Sequence, residues 1–157
     1  MVKLDEKKPT ASFLWKGKPK TAMYCCNSTP LIVDGVIYGS DIRTSSVIAA
    51  SMEDGKRFWQ SQAPSIAGDH RKGGGSHGTA FLTFHEANQQ FWVFGEMGDL
   101  ILAEMTKEGY KELGRQHLLK PTNEAFGRPV VWSAPAFAGK SIYVRNDEEL
   151  VKVDLSE

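Results

Sequence analysis

The fold is decided by residues 28–59, which read STPLIVDGVIYGSDIRTSSVIAASMEDGKRFW. Short runs rich in Val, Ile and Tyr alternate with turn signals at the close spacing that is typical of all-β folds. Asp34-Gly35 lies between two such runs and predicts a two-residue primed hairpin turn, because glycine accepts a positive φ at little cost. Residues 53–56 (EDGK) predict another turn. The stretch therefore predicts a four-stranded antiparallel meander.

The same pattern occurs twice more along the chain, and repetition is the strongest available fold signal. The second copy is GTAFLTFHEANQQFWVFGEMGDLILAEMTKEGYKEL and the third is SAPAFAGKSIYVRNDEELVKVDL. Gly139-Lys140 replaces Asp34-Gly35 in the third copy, whereas HEANQQ predicts a longer hairpin loop in the second. The copies predict three sheets, at about 28–60, 78–118 and 133–155, with one more strand at 13–16. A β-sandwich with accidental self-similarity is the alternative.

The predicted strands are one at the start, four in each of the first two copies and three in the last, which makes twelve. The third copy thus lacks a fourth strand, and the strand at 13–16 lacks neighbours. We expect the N-terminal strand to close the last sheet.

Composition limits the partners of the chain. Its 157 residues suffice for one domain with a sizeable core. Nineteen basic and nineteen acidic residues leave no net charge, which gives no electrostatic support for nucleic acid or an anionic membrane as a partner. The charged start lacks the apolar segment of a signal peptide, and no apolar run is long enough to span a membrane. We expect a soluble chain without a membrane span.

The first copy resembles the repeat of PQQ-like β-propellers, the group that includes quinoprotein alcohol dehydrogenases and, more distantly, the bacterial outer-membrane assembly lipoprotein BamB. The matching residues are Ser28, Pro30, Asp34, Gly35, Tyr38, Gly39, Ala49, Gly55, Lys56 and Trp59. Ser51 and Asp54 depart from the pattern, in which Asp and Thr are usual. Residues 94–110 and 118–147 resemble the C-terminal part of PQQ-like repeat proteins of planctomycete-type bacteria.

The resemblance implies an all-β propeller segment of about three four-stranded antiparallel blades. Residues 1–157 are then one PQQ-like domain or a half-propeller. The implied function is a non-catalytic protein-binding or scaffold module. The alternative is a fragment of a quinoprotein dehydrogenase, which would bind PQQ and calcium. A periplasmic location follows only if the chain is part of a longer exported protein.

The resemblance also gives structural roles to four residues. In the family, a tryptophan on the outermost strand docks between blades, and a turn glycine lets its ring approach the backbone. These positions are Trp59 and Gly55 in the first copy, and we expect the ring of Trp59 to lie over Gly55. Gly109 keeps the glycine in the second copy, and Trp15 resembles the same tryptophan from a preceding blade.

The adjacent pair Cys25-Cys26 raises the quinoprotein alternative, because vicinal cysteines occur beside the quinone in some dehydrogenases. The arginine that follows the pair in those enzymes is missing here. The residues available for calcium form no recognisable ligand series; they are Asn27, Asp41, Asn146 and Asp147. We therefore expect neither PQQ nor calcium, and we interpret both cysteines as buried structural thiols.

The remaining candidates are weaker. The histidines lack a tight metal spacing, and we interpret them as loop residues; they are His70, His77, His85 and His117. Asp69-His70 with Ser76-His77 would form a nucleophile system only if the fold brought them together. The segment HRKGGGSHG (70–78) is interpreted as a connection between blades, since no Gly-Lys-Ser/Thr follows its glycines. Arg128, Arg145 and residues 147–149 could line a central channel or lie in solvated loops.

Three blades are too few for a closed ring, because propellers have about 4–8 blades. We expect either a homodimer, in which a second copy supplies further blades, or association with the remainder of a longer propeller. Either arrangement leaves room for a further protein partner.

Overall fold

The computed structural model describes residues 1–18, 20–66 and 78–156. One helical turn, α1 (Ala63–Ile66), and one 3₁₀ turn (Glu86–Asn88) accompany the strands in these ranges. The strands are β1 (Val2–Leu4), β2 (Ala11–Phe13), β3 (Leu31–Val33), β4 (Val36–Asp41), β5 (Ser46–Ser51), β6 (Arg57–Ser61), β7 (Ala80–His85), β8 (Gln90–Gly95), β9 (Asp99–Met105), β10 (Tyr110–His117), β11 (Asn123–Ala125), β12 (Arg128–Val130), β13 (Ala136–Ala138), β14 (Ser141–Arg145) and β15 (Leu150–Asp154).

Three antiparallel sheets follow one another along the chain, as the three copies predict. The first sheet has the order β3-β4-β5-β6, the second β10-β9-β8-β7 and the third β13-β14-β15. Both four-stranded sheets are meanders, because every neighbouring pair of strands is also consecutive in sequence. Two small hairpins, β1-β2 and β11-β12, were not predicted as such. The all-β prediction is confirmed.

The hairpin turns have the predicted chemistry. Asp34 and Gly35 have φ values of 49° and 75° between the paired residues Val33 and Val36. Gly139 and Lys140 also have positive φ, at 54° and 58°. Positive φ at both central positions is the signature of the primed turn that matches strand twist.

The sheets pack against each other through alternate side chains of their strands. In β7, Ala80 and Leu82 face the first sheet while Phe81 faces the third, as the period of two in a strand requires. The core between the first two sheets contains Val36, Tyr38, Val47, Ala49, Ala80, Leu82, Phe91, Val93, Ile101, Ala103 and Met105. The core between the last two contains Phe81, Phe94, Leu100, Leu119, Val131, Ile142 and Val144. The second sheet therefore contributes to both cores.

The N-terminal strand is placed differently from the prediction. Strand β2 pairs with β1, and the third sheet has three strands within this chain. The strand bounds are 11–13 instead of 13–16. The hairpin closes on itself, since the amide of Leu14 donates to the carbonyl of Met1. The expected closure of the last sheet by the N-terminal strand is therefore wrong for the single chain.

None of the helices in the described ranges has the length and apolar character needed to cross a membrane.

Candidate functional site

Trp59 connects the first sheet to the second. It lies on β6, and its indole Nε1 donates to the carbonyl of Thr106 at 2.6 Å. Its ring packs between Tyr38 and Tyr110, with centroid distances of 6.2 and 6.4 Å. Burial raises the pKa of the Tyr38 hydroxyl to about 12, so this hydroxyl stays protonated and donates to the carbonyl of Met105. The indole thus forms a dock between two consecutive sheets.

Trp15 makes the same type of contact one sheet earlier. Its Nε1 donates to the carbonyl of Met52 at 2.9 Å, one residue beyond the end of β5. Thr106 lies one residue beyond the end of β9, so both tryptophans bind the corresponding position of a sheet. A Cβ at Gly55 would lie 2.6 Å from the ring of Trp15. The ring over Gly55 therefore belongs to Trp15, and the expected pairing of Gly55 with Trp59 is wrong.

Gly109 differs from Gly55 although both occupy the same place in the repeat. Gly55 has a φ of 75°, whereas the φ of Gly109 is not positive. A Cβ at Gly109 would meet no atom within 4 Å. The turn at Gly109 closes through the carbonyl of this residue, which accepts from the amide of Thr106. The ring of Trp15 therefore fills the space beside Gly55. The corresponding space beside Gly109, near the dock of Trp59, is open.

The cysteine pair does not consist of two buried thiols. Cys25 is partly buried with its Sγ against Gly39, but Cys26 is exposed, which corrects the expectation for that residue. Burial, with a smaller contribution from the Asp41 carboxylate, raises the pKa of the Cys25 thiol to about 11. The Cys25 thiol is consequently protonated near neutral pH, where a reactive cysteine would be a thiolate.

Asp41 and Asn146, two of the residues considered for calcium, accept hydrogen bonds from other parts of this chain. The Asp41 carboxylate accepts from the amide of Tyr24 at 2.9 Å and from the hydroxyl of Thr44 at 2.7 Å. The side-chain oxygen of Asn146 accepts from the amides of Glu148 and Glu149. Among the residues that the structure describes, no group of three or more His, Cys, Asp or Glu side chains could hold a metal ion.

Two of the histidines can be placed. His117 lies at the end of β10, with its Nδ1 2.8 Å from a carboxylate oxygen of Asp99. Asp99 also accepts from Arg115, so His117 belongs to an ionic network along the second sheet. His85 is exposed at the end of β7. The candidate pairs Asp69-His70 and Ser76-His77 lie outside the described residues, as does nearly all of the segment 70–78.

Sequence reasoning missed a buried ion pair at the end of the second sheet. Arg128 donates through Nε and Nη2 to the two carboxylate oxygens of Glu96, each at 3.0 Å. The same carboxylate accepts from the amide of Thr79 at 2.9 Å and from the indole of Trp132 at 3.1 Å. Glu96 is fully buried and the Arg128 side chain is 8% exposed. Arg128 is thus neither a channel residue nor a solvated one.

A cavity of about 340 Å³ lies beside this ion pair. Its walls come from the segment between the second and third sheets and from the turn that follows β14. Its wall includes Arg145 and Asp147. From the sequence, we expected these two residues to line a channel or to lie in solvated loops. The lining residues are Thr122, Asn123, Glu124, Ala125, Val130, Val131, Trp132, Ser133, Arg145, Asn146 and Asp147.

Comparison with known proteins does not assign the chain to a family. The sequence matches no protein-family model. No curated protein is detectably similar to it.

Proposed function

We propose that the chain is a segment of a PQQ-like β-propeller with a protein-binding or scaffold role and no catalysis of its own. The observation that carries the proposal is the tryptophan dock, made by Trp15 on the first sheet and by Trp59 on the second. A contact that recurs at the same position of consecutive sheets is the mark of a repeat architecture, in which each unit is stabilised by its neighbour.

The outer faces of the stack support association with further sheets. Ile32 and Phe58 point away from the first core and are 55% and 42% exposed, and Leu150 on the third sheet is 69% exposed. Exposed apolar surface of this kind marks interaction sites in folded proteins. The surface fits either a second copy, giving a six-bladed homodimer, or the remaining blades of a longer propeller.

The non-catalytic role is supported by how the candidate reactive groups are used. The Cys25 thiol has a raised pKa, the Asp41 carboxylate accepts from the amide of Tyr24 and lies against Arg57, and the Glu96 carboxylate is bound by Arg128. Each of these groups stabilises local structure and lacks the exposed, activated state that a nucleophile or general base needs.

Light scattering tests the assembly. The proposal predicts that the chain elutes at twice the 17.4 kDa of one copy, or aggregates if it comes from a longer propeller. A version lacking residues 1–20 loses the Trp15 dock and should associate differently. A well-folded monomer of both versions would contradict propeller closure and favour a sandwich.

An absorbance titration with PQQ and calcium tests the absence of quinoprotein chemistry. We expect an unchanged spectrum of the cofactor and an unchanged melting temperature of the protein. Saturable uptake of PQQ, with a rise in melting temperature, would replace the scaffold proposal with the dehydrogenase alternative.

A further inference from the structure

The cavity formed by the β11-β12 segment and the turn after β14 has the size of a small-molecule site. Its volume of about 340 Å³ lies at the lower end of the range for ligand pockets, roughly 300–1,000 Å³. Its wall combines apolar groups, from Val130, Val131 and Trp132, with hydrogen-bonding groups. Seven of the eleven lining residues are polar or charged, so the wall offers many hydrogen-bonding groups to orient a small polar ligand.

The charges in the wall have both signs. Arg145 contributes a guanidinium, and Glu124 and Asp147 contribute carboxylates; all three residues are exposed. In the part of the chain that the structure describes, none of them forms an ion pair with another residue. A ligand of either charge would meet a repelling group in this wall. A neutral ligand whose hydroxyls both donate to carboxylates and accept from a guanidinium can satisfy all three.

Trp132 contributes an aromatic ring to the wall of the site. Trp132 is partly exposed, and its ring lies 6.1 Å from that of Phe126 at the tip of the β11-β12 hairpin. Phe126 is 77% exposed and has a φ of 53°, an uncommon conformation for a bulky residue. The electron-rich face of an aromatic ring attracts weakly positive C–H groups. An aromatic ring beside polar groups therefore fits a ligand with one C–H face and a hydroxylated rim.

The walls are held in place by contacts behind them. Glu96 and Arg128 anchor the hairpin, and Asn146 Nδ2 donates to the carbonyl of Lys120 at 3.0 Å. The hydroxyl of Thr122 accepts from the amide of Asp147 at 3.1 Å, which joins the two segments that form the cavity. A site fixed in this way loses little conformational freedom on binding.

We propose that this cavity binds a neutral saccharide. The sugar's C–H face packs toward Trp132, and its hydroxyls bridge the carboxylate of Asp147 and the guanidinium of Arg145. The site lies at the β11-β12 segment and the turn after β14, and it does not depend on how many sheets close the assembly.

Nuclear magnetic resonance of the ¹⁵N-labelled chain tests the site directly. The probes are the methyl glycosides of glucose, mannose, galactose and N-acetylglucosamine, together with cellobiose. At least one should cause saturable shifts confined to residues 118–133 and 145–149. Half-saturation is expected at about 2 mM, the affinity that a ligand of roughly a dozen non-hydrogen atoms reaches at ordinary efficiency.

Two double variants make the test specific. Arg145→Gln with Asp147→Asn should weaken binding about tenfold by removing the two bridging charges. Glu104→Gln with Lys111→Gln removes an exposed ion pair elsewhere on the second sheet and should leave binding unchanged. The amide spectra of both variants report whether the fold is intact.

Three results would overturn the proposal. One is the absence of saturable shifts at the cavity with every probe up to about 50 mM, well above the expected half-saturation. Another is equal binding by the cavity variant and the wild type. The third is tighter binding of glucosamine or glucuronate than of the neutral glucoside, since a single charge would then dominate recognition.

Discussion

Replacing Trp59 with alanine measures the strength of the dock between the first and second sheets. The substitution removes the hydrogen bond to Thr106, which contributes about 1 kcal/mol. It also removes the ring contacts with Tyr38 and Tyr110. A fully buried tryptophan costs about 3–5 kcal/mol on truncation, and this ring is only partly buried. We expect a loss of about 2–3 kcal/mol in the free energy of unfolding.

Urea denaturation followed by far-ultraviolet circular dichroism gives this free energy without relying on tryptophan fluorescence. With a slope of about 1–3 kcal/mol/M, the midpoint should fall by roughly 0.7–3 M. Trp59→Phe keeps most ring contacts and should lose about 1 kcal/mol, the value of the hydrogen bond. Gln60→Ala is the matched control, because Gln60 follows Trp59 on β6 and has an exposed, polar side chain.

The Gln60 variant should lose about 0.5 kcal/mol or less, as substitutions at the surface usually do. A loss below 1 kcal/mol for Trp59→Ala, or equal losses for the two alanine variants, would show that the indole does not couple the sheets.

Three further predictions concern other contacts. Glu96→Ala leaves a buried guanidinium without its carboxylate and should cost about 3–5 kcal/mol in the same assay; a loss under about 1 kcal/mol would refute the role of the pair. Gly55→Ala should cost about 2 kcal/mol, because its φ of 75° disfavours a side chain and a ring occupies the space. Gly109→Ala should cost about 0.5 kcal/mol or less, and equal costs at the two glycines would contradict the difference between the docks. Iodoacetamide at pH 8 should label Cys26 first, since a thiol with a pKa of about 11 is about one-thousandth ionised there; equal labelling of Cys25 by mass spectrometry would refute its burial.

The sheets could be predicted from the sequence because their determinants are local. Asp34-Gly35 specifies a hairpin through the φ preferences of two adjacent residues, and the flanking apolar runs are long enough for strands but too short for helices. These signals act within a few residues of each other. They give the order of the strands in a meander without any knowledge of contacts between distant segments.

The contacts between sheets could not be predicted in the same way. The repeat shows where a tryptophan and a glycine occur in each copy, but not whether they meet within one copy or across two. The structure shows that Trp15 reaches Gly55 across 40 residues. The position of a tryptophan or glycine within its repeat copy can be read from the local sequence. Which residue it contacts depends on how successive sheets stack.

The ion pair of Glu96 and Arg128 was missed for a related reason. Acidic and basic residues in turns are ordinarily solvated, and these two are 32 residues apart. One signal was available, since Glu96 directly follows the apolar run QFWVFG, where a charge at the end of a buried strand needs a partner. The identity of that partner depends on the fold of the connecting segment.

The second sheet is buried on both faces, and it therefore connects the core of the first sheet to the core of the third. Its strands β8 and β9 contribute to both cores, so the packing contacts that link the first and third sheets within one chain pass through them. In a linear series of this kind, stability is a sum of unit and nearest-neighbour terms, and opening begins at the ends. Amide hydrogens of β8 and β9 should consequently exchange last with solvent. A chain organised in this way can gain or lose a terminal unit while the cores between the remaining units keep their composition.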